Sequence, residues 1–367
     1  MEIFNKKSLK AKKAVALLLF MLYLGAISML AQETPRTYVA HNTIENIKID
    51  GKMNESSWQK TAWSSNFIDI EGDKKPTYET KFKMLWDDAN IYFFVKLKEP
   101  HVWATLKQKD TIIFYNNDFE IFFDPDGDTH NYYEFEMNAL NTIWDLYLSK
   151  PYRNNGYIMD GWDFKGLKSA VQVQGTLNNS TDIDEGWTIE IAIPWSFTTA
   201  PGGTTNIPEN DFWRMNFSRV NWDFDLKNGR YSRKKDPSGK FLPEYNWVWS
   251  PQGVINMHEP EHWGYVYFDK NSMGATTDFT VPEDEHIKWY LYELYRNQIN
   301  KNSTEDGWIL KKGILQKESK LILGKSVTAI LEKNNFGFDI WIKSPFTNKK
   351  LVIHTDGKFE TYNDTTN

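Results

Sequence analysis

The chain has 367 residues, a net charge of −6 and an aromatic content of 16% that includes 16 tryptophans. Its 43 basic and 49 acidic residues are mixed along the chain without a basic stripe, which argues against a nucleic acid partner. Cysteine is absent, which excludes a disulfide framework and a lipid-anchored cysteine, so the fold must be held by its core alone.

The first 31 residues have the pattern of an export signal. Five lysines between Lys6 and Lys13 precede an apolar run from Ala14 to Ala31, as in the charged and apolar regions of a secretory signal. Cleavage after Ala31 leaves no membrane span and gives an exported protein that works in the periplasm, at the cell surface or outside the cell. The run is also about long enough to remain as an uncleaved membrane anchor, and this alternative stays open.

From Tyr38 to Asp269 the pattern is that of short strands separated by turn signals. A short helix is predicted near Asn54, and a hairpin is predicted around residues 87–90. Residues 118–124, "DFEIFFD", alternate apolar and polar positions with period two, which is typical of a strand with one buried face. Many short strands with little helix predict a mainly β fold, an immunoglobulin-like or jelly-roll-like antiparallel β-sandwich over residues 38–269.

The composition changes after Asp269. Residues 282–300 begin with a proline and acidic side chains and continue with apolar residues at helical spacing, which predicts a helix. The segments 325–333, 336–344 and 350–356 then read as strands. We expect a small C-terminal α+β unit over residues 270–367, an accessory module without catalytic groups that docks on the sandwich or on a partner.

Eight segments of the first unit, in this order, resemble the family 9 carbohydrate-binding modules, particularly the family-9-like group of secreted Bacteroidetes-type proteins. They are "IDGKMNESSW" (49–58), "LWDDANIYF" (85–93), "NNDFEIFFDPDGD" (116–128), "YYEFEMN" (132–138), "GWTIEIAIPW" (186–195), "RMNFSRV" (214–220), "WSPQG" (249–253) and "EPEHWGYVYF" (259–268). The resemblance implies a β-sandwich, an association with glycoside hydrolases and binding of sugar chain ends.

The resemblance also implies a site in which two tryptophans hold the sugar and polar groups bind its hydroxyls. Glu120 and Asn138 match polar positions of that site. Phe114 and Met257 stand where the two tryptophans are expected, and Glu136 stands where an arginine is expected. The resemblance therefore transfers the fold and does not transfer the known ligand.

Glu120, Glu134, Glu136 and Asn138 have matching parity if residues 124–131, "DPDGDTHN", connect two paired strands. They then share one polar sheet face, for which three interpretations remain open. The face can be an ordinary solvated surface. It can be a platform whose carboxylates accept hydrogen bonds from sugar hydroxyls. It can also hold the carboxylate pair of a glycoside hydrolase.

We predict a carbohydrate site on this face and its loops. Arg219, a charge within an apolar strand, is expected near Glu120 or Glu136. Tryptophans in loop-like sequence are expected to stack on sugar rings. The predicted site consists of Glu120, Glu136, Asn138, Arg219, Trp222, Trp247 and Trp249.

The segment "DPDGD" suggests a calcium loop. Asp124, Asp126 and Asp128 supply the oxygen ligands that calcium prefers, which makes them a candidate structural site. The segment lacks the later glutamate of a helix–loop–helix calcium loop, and a tight turn with proline and glycine explains it as well. No other cofactor is predicted.

The sequence thus predicts an exported, non-catalytic carbohydrate-binding protein that recognises poly- or oligosaccharide ends in carbohydrate catabolism, with a glycoside hydrolase as a candidate partner. Two alternatives remain: the chain is itself a glycoside hydrolase, or it is a structural or assembly module that has lost sugar binding.

Overall fold

The computed structural model describes residues 34–199, 205–272, 277–301 and 316–363. The predicted export signal, residues 1–31, lies outside the described residues. Among the helices of the described ranges, none combines the length and the apolar character that crossing a membrane requires.

The region predicted as a sandwich consists of short strands, one short helix and a few 3₁₀ turns. The strands are β1 (Thr37–Asn42), β2 (Ile68–Asp69), β3 (Thr80–Trp86), β4 (Asn90–Lys98), β5 (Asp118–Asp124), β6 (Tyr132–Asn138), β7 (Ile143–Leu148), β8 (Ile158–Met159), β9 (Lys168–Gln174), β10 (Gly186–Pro194), β11 (Asp211–Asn221), β12 (Phe224–Lys227), β13 (Arg230–Arg233), β14 (Tyr245–Val248) and β15 (Gly264–Ser272). Helix α1 (Ser56–Lys60) and the hairpin β3–β4 confirm the elements predicted there. The 3₁₀ turns are Ile113–Tyr115, Tyr152–Asn154, Trp195–Thr198 and Pro260–His262.

Most of these strands belong to one continuous sheet. Its order is β8-β7-β6-β5-β11-β15-β1-β3-β4-β10-β9, and β14 joins it by pairing with β11 and with β2. Neighbouring strands run antiparallel except at β1, which is parallel to both β15 and β3. The predicted mainly antiparallel architecture is therefore confirmed, with β1 as the exception.

The sheet curls over so that its two halves enclose one aromatic core. The ring centres of Phe82 on β3 and Phe217 on β11 are 3.9 Å apart, and those of Phe93 on β4 and Phe123 on β5 are 6.0 Å apart. Trp187 on β10 is buried in the same core, as its place in an alternating strand predicts. The result is the predicted β-sandwich.

The C-terminal residues form the predicted α+β unit. Helix α2 (Glu283–Lys301) lies against an antiparallel sheet whose strands follow chain order: β16 (Gln316–Ile322), β17 (Lys325–Asn334), β18 (Gly337–Lys343), β19 (Lys349–His354) and β20 (Phe359–Asn363). Ile287 and Leu291 of the helix pack on Ile340 and Ile353 of the sheet. The apolar stripe of the helix is buried here because the alternating strands offer it a matching apolar face.

Helix α2 also contacts the sandwich through charged side chains. Arg214 on β11 pairs with Glu285 at 3.3 Å, and the Tyr265 hydroxyl donates to the same carboxylate at 2.7 Å. Arg296 donates to buried Glu261 at 2.5 Å. Residues from Pro35 onward form one compact unit. The boundary at residue 270 and the independence of the C-terminal unit stay predictions.

Candidate functional site

The hairpin β5–β6 carries the polar face that its parity predicts. Glu120 lies opposite Glu136, Asp118 lies opposite Asn138, and Glu134 lies two residues further along the face. Residues directly opposite each other in an antiparallel pair point to the same side of the sheet. Their intervening neighbours point into the aromatic core. We call these five residues, Asp118, Glu120, Glu134, Glu136 and Asn138, the polar face.

The polar face is buried. None of its five residues is more than 5% exposed. The backbone N–H of Phe114 donates to Glu136 at 3.0 Å, and the Trp222 indole N–H donates to the Phe114 carbonyl at 2.7 Å. The turn that holds Phe114 and the side chain of Trp222 therefore lie against this face. The interpretation as an ordinary solvated surface is wrong.

Several carboxylates of the polar face share a small volume. One oxygen from each of Asp118, Glu120 and Glu136 lies within 4.8 Å of the others. Asp118 Oδ1 accepts the Val220 N–H at 3.2 Å, whereas Asp118 Oδ2 has no hydrogen-bond partner among the described residues. A buried acceptor without a donor is costly, so this cluster favours any proton or ligand donor that can reach it.

Burial raises the pKa of every carboxyl in the cluster. It raises the pKa of Glu120 to about 7, and it raises the pKa values of Asp118, Glu134 and Glu136 well above their usual range. The charge on Glu120 adds to the rise in the pKa of the other three. Near neutral pH these groups are therefore poised to hold protons or to accept hydrogen bonds from hydroxyl groups.

The amide of Asn138 is fully used inside the fold. Its nitrogen donates to the Leu106 carbonyl at 2.9 Å, and its oxygen accepts the N–H groups of Leu140 and Thr142 at 3.0 and 3.2 Å. The side chain shapes the turn after β6. A direct role in ligand binding, as predicted for Asn138, requires exchange of one of these bonds.

Arg219 pairs with Glu99 and not with Glu120 or Glu136, so the prediction that it lies beside one of these two glutamates is wrong. Its guanidinium donates to Glu99 at 2.5 Å and to the Lys98 carbonyl at 3.0 Å. Period two explains the error. The preceding residue of β11, Ser218, pairs with Glu120 and shares its face, so Arg219 points to the opposite side.

The predicted tryptophans are buried instead of presenting open stacking surfaces. Trp249 packs in the core, with its ring centre 5.4 Å from that of Phe82. Trp247 lies under the Arg219 guanidinium, 5.2 Å from its ring centre. Trp222 is 5% exposed. The expectation that tryptophan in loop-like sequence is accessible is wrong here, because burial of a large ring is decided by distant strands.

The two positions where the resemblance calls for tryptophan flank the polar face. The backbone N–H of Phe114 is hydrogen-bonded to Glu136, and Met257 packs in an apolar cluster with Trp144. Trp144 lies opposite Glu136 on β7, and its buried indole N–H has no partner in the described part of the chain. The sequence around Trp144 is polar and reads as a loop. Counting parity through the β6–β7 turn identifies it as a neighbour of Glu136.

A buried histidine stands at the other end of the face. His258 Nδ1 lies 2.8 Å from the Tyr132 hydroxyl, and its Nε2 lies 3.9 Å from Glu134. Burial lowers the pKa of His258 to about 3, so the imidazole is neutral. It therefore adds no positive charge to offset the carboxylates.

The loop after β5 forms a tight turn around Asp124. The two oxygens of this carboxylate accept the N–H groups of Gly127 at 3.1 Å and Thr129 at 3.0 Å. One oxygen from each of Asp124, Asp126 and Asp128 lies within 4.8 Å of the others, which suits the oxygen chemistry of calcium. The Lys358 ammonium lies 3.8 Å from Asp128. Calcium binding at this loop stays a prediction. If it occurs, the melting temperature should be higher with added calcium than with a chelator.

Fold and site define a β-sandwich protein with a buried acidic face on one sheet. The sequence pattern of the family described as "carbohydrate family 9 binding domain-like" matches residues 49–234. The chain belongs to this family. The matched range contains β5, β6, β7 and β11, and with them the entire polar face.

Solved structures include three similar chains. A presumed carbohydrate-binding protein from Bacteroides uniformis shares 18% identity over 64% of this chain and 100% of its own, with a TM-score of 0.47. A family 9 module from Caldicellulosiruptor kristjanssonii was solved with cellotriose (15% identity, 67% of this chain, 100% of its own, TM-score 0.41) and with glucose (15%, 66%, 100%, 0.42). Among curated proteins no match is found.

Proposed function

We propose that this protein is an exported, non-catalytic carbohydrate-binding protein whose ligand site includes the polar face. The observation that carries the proposal is the pairing of Glu120 with Glu136 on a face inside the family-matched segment. Carboxylates accept hydrogen bonds from several hydroxyl groups at once, and a sugar presents such donors on neighbouring carbons. The unpartnered oxygen of Asp118 gives a further acceptor.

Ligand access requires a local rearrangement. The Phe114 turn and Trp222 lie against the face, and two hydrogen bonds hold them there. Each such bond contributes roughly 1 kcal/mol. Trp222 and Phe114 also pack in one apolar cluster, so opening this end exposes apolar surface, and binding has to offset both costs. In this proposal the sugar replaces the Phe114 N–H at Glu136.

The finer part of the proposal concerns biological role. We infer that the protein recognises poly- or oligosaccharide ends during carbohydrate catabolism and that a glycoside hydrolase acts beside it. Its family membership and the export pattern of residues 1–31 support this role. Exported binding modules of this kind concentrate an enzyme on an insoluble or dilute polymer through effective concentration.

A glycan panel tests the proposal. The chain starting at Gln32 is assayed for binding to plant and algal oligosaccharides, and Glu120→Gln and Glu136→Gln are expected to bind at least about tenfold more weakly. Glu190→Gln is the matched control, because Glu190 is also a buried carboxylate and accepts the Trp58 indole N–H at 2.9 Å on β10. It is expected to lower stability and leave affinity unchanged.

The same assay separates the alternatives. Release of new reducing ends by the purified chain would identify a glycoside hydrolase. A folded protein without any glycan ligand would identify a structural module that has lost binding. Equal affinity of all three variants would place the ligand away from the polar face.

A further inference from the structure

The hairpin β12–β13 and the loop after it carry a local excess of positive charge. Residues 224–241 contain six basic and two acidic residues, in a chain whose net charge is −6. Among the described strands β12 and β13 pair only with each other, so the hairpin stands apart from the main sheet. We call residues 224–241 the basic hairpin; its cations are Lys227, Arg230, Arg233, Lys234, Lys235 and Lys240. This local excess of positive charge is not apparent from the net charge of the whole chain.

The two carboxylates of the basic hairpin do not neutralise these cations. Asp236 accepts the backbone N–H groups of Ser238 at 2.8 Å and Lys240 at 3.0 Å, and Asp225 accepts the backbone N–H of Lys235 at 3.3 Å. Within the described ranges, none of the six basic side chains forms an ion pair with a carboxylate. The charge is therefore available to an external anion.

Arg233 is held in a defined orientation by aromatic rings. Its guanidinium carbon lies 4.2 Å from the ring centre of Tyr115, 4.7 Å from that of Trp222 and 4.1 Å from that of Phe241. The three rings fix the position of the positive charge beside aromatic surface, and a guanidinium carries several N–H donors that suit carboxylate or sulfate oxygens. Tyr115 and Phe241 are 42% and 41% exposed, so ring surface is also accessible beside the charge.

The basic hairpin adjoins the polar face. Trp222, which contacts Arg233, donates its indole N–H to Phe114, and Phe114 in turn donates to Glu136. A surface depression of about 540 Å³ lies along the hairpin and is lined by Lys227, Asn228, Arg230, Tyr231 and Ser232. A polymer that places one sugar at the polar face can thus continue over exposed aromatic rings and cations.

We propose that the basic hairpin binds the anionic groups, carboxylate or sulfate, of an acidic polysaccharide. This inference rests on the proposed carbohydrate binding and names the class of carbohydrate. Several cations without a carboxylate partner on one hairpin attract a chain of repeated anions, and the accessible rings suit the C–H faces of sugars. A single-stranded nucleic acid also offers anions and flat rings. The hairpin lies beside the polar face, and its first part, residues 224–234, belongs to the family-matched segment; this position favours a polysaccharide.

Affinity electrophoresis of the full mature chain tests the proposal. The gels contain polygalacturonate as the carboxylate polymer, dextran sulfate as the sulfate polymer, or neutral dextran. We expect retardation by one or both acidic polymers and not by dextran, with weaker retardation as salt rises because exposed charges are screened. The two acidic gels show which anion is preferred.

Matched triple variants identify the surface. Arg230→Ala/Lys234→Ala/Lys235→Ala is expected to bind the acidic polymer about tenfold more weakly than wild type. Lys60→Ala/Lys165→Ala/Lys168→Ala removes the same charge from exposed lysines outside the hairpin and is expected to bind like wild type. Arg233→Lys keeps the positive charge but replaces the planar guanidinium by an ammonium group, so we expect severalfold weaker binding of the acidic polymer.

The outcomes are distinct. Equal losses in both triple variants would show that only net charge matters and would overturn the inference. Binding of neutral oligosaccharides through Glu136, with no gain from acidic polymers, would also overturn it and leave the proposed function intact. Single-stranded polynucleotide bound as tightly as the acidic polysaccharide would mark a general polyanion surface and overturn the carbohydrate class. Absence of all carbohydrate binding would remove both proposals.

Discussion

Arg219 and Glu99 form a buried ion pair, with 2.5 Å between the guanidinium nitrogen and the carboxylate oxygen. Arg219 lies on β11 in one half of the sandwich, and Glu99 directly follows β4 in the other half. Thr80 and Asn221 accept further hydrogen bonds from the same guanidinium at 3.1 and 3.0 Å. The arginine therefore joins the two halves of the sandwich, and its hydrogen bonds go to residues outside the polar face.

We predict that Arg219→Ala destabilises the protein strongly. Burial raises the pKa of Glu99 and Arg219 opposes that rise, so removal of the arginine leaves a buried carboxylate without its counter-charge. The expected loss in the free energy of unfolding is about 3–5 kcal/mol, measured by urea unfolding. Arg230→Ala, at an exposed arginine of the hairpin, is expected to change stability by less than about 0.5 kcal/mol.

A double variant provides the control for this pair. Arg219→Met with Glu99→Gln removes both charges and is expected to lose less stability than Arg219→Ala alone, because no uncompensated charge remains. Loss of glycan binding by Arg219→Ala at unchanged stability would instead place Arg219 at the ligand.

Stability should depend on pH through Glu120. Burial raises the pKa of Glu120 from 4.5 to about 7, so between these values the folded protein holds a proton that the unfolded chain has released. Unfolding then releases a proton, and the stability contributed by protonated Glu120 is lost as pH rises from about 4.5 to about 7. Glu120→Gln does not titrate. The free energy of unfolding of the variant minus that of wild type is therefore expected to rise by on the order of 2 kcal/mol from pH 5 to pH 8.

Urea unfolding at the two pH values measures this difference. Glu185→Gln, at an exposed carboxylate, serves as the control and is expected to follow wild type at both pH values. Parallel stability curves for Glu120→Gln and wild type would show that Glu120 is ionised in the folded protein at pH 5.

The polar face was accessible to sequence reasoning because it depends on local spacing. Alternation in β5 and β6 and a short connection predict which residues share a side, and the structure adds the register that places Glu120 opposite Glu136. Asp118 has the same parity as Glu120, so the same count predicts its place. To place Trp144, the alternation has to be followed through the β6–β7 turn as well. Its polar surroundings read as a loop, whereas the structure places it on strand β7.

The burial of the face and the partner of Arg219 depend on pairing between distant segments. Glu99 meets Arg219 only because β11 lies across the sandwich from the end of β4, and alternation within one strand contains no information about that partner. Trp249 is covered by Phe82, which lies far earlier in the chain. Polar flanking sequence indicates a loop, and it does not indicate what packs on that loop.

Removal of the C-terminal unit tests the predicted boundary. A chain that ends at Thr276 loses Glu285, the partner of Arg214 and Tyr265. Arg214 keeps a hydrogen bond of 2.8 Å to the Glu261 carbonyl, so we expect a folded sandwich with cooperative thermal unfolding at a lower midpoint. Glu285→Gln in the full chain serves as the milder comparison. Loss of cooperative unfolding in the shortened chain would show that residues 38–367 share one core.

Trp144 and Trp249 are expected to separate binding from stability. Trp144 lies opposite Glu136 and its buried indole N–H lacks a partner among the described residues, so a ligand hydroxyl can accept from it. Trp144→Phe keeps an aromatic ring and loses this donor. We expect about fivefold weaker binding of the glycan found by the panel, equivalent to about 1 kcal/mol.

Trp249→Phe opens space beside Phe82 in the core. It is expected to lower the free energy of unfolding by about 1–3 kcal/mol with unchanged affinity. Titration calorimetry and urea unfolding on both variants measure the two effects. Weaker binding by Trp249→Phe together with wild-type binding by Trp144→Phe would contradict the placement of the ligand at the polar face.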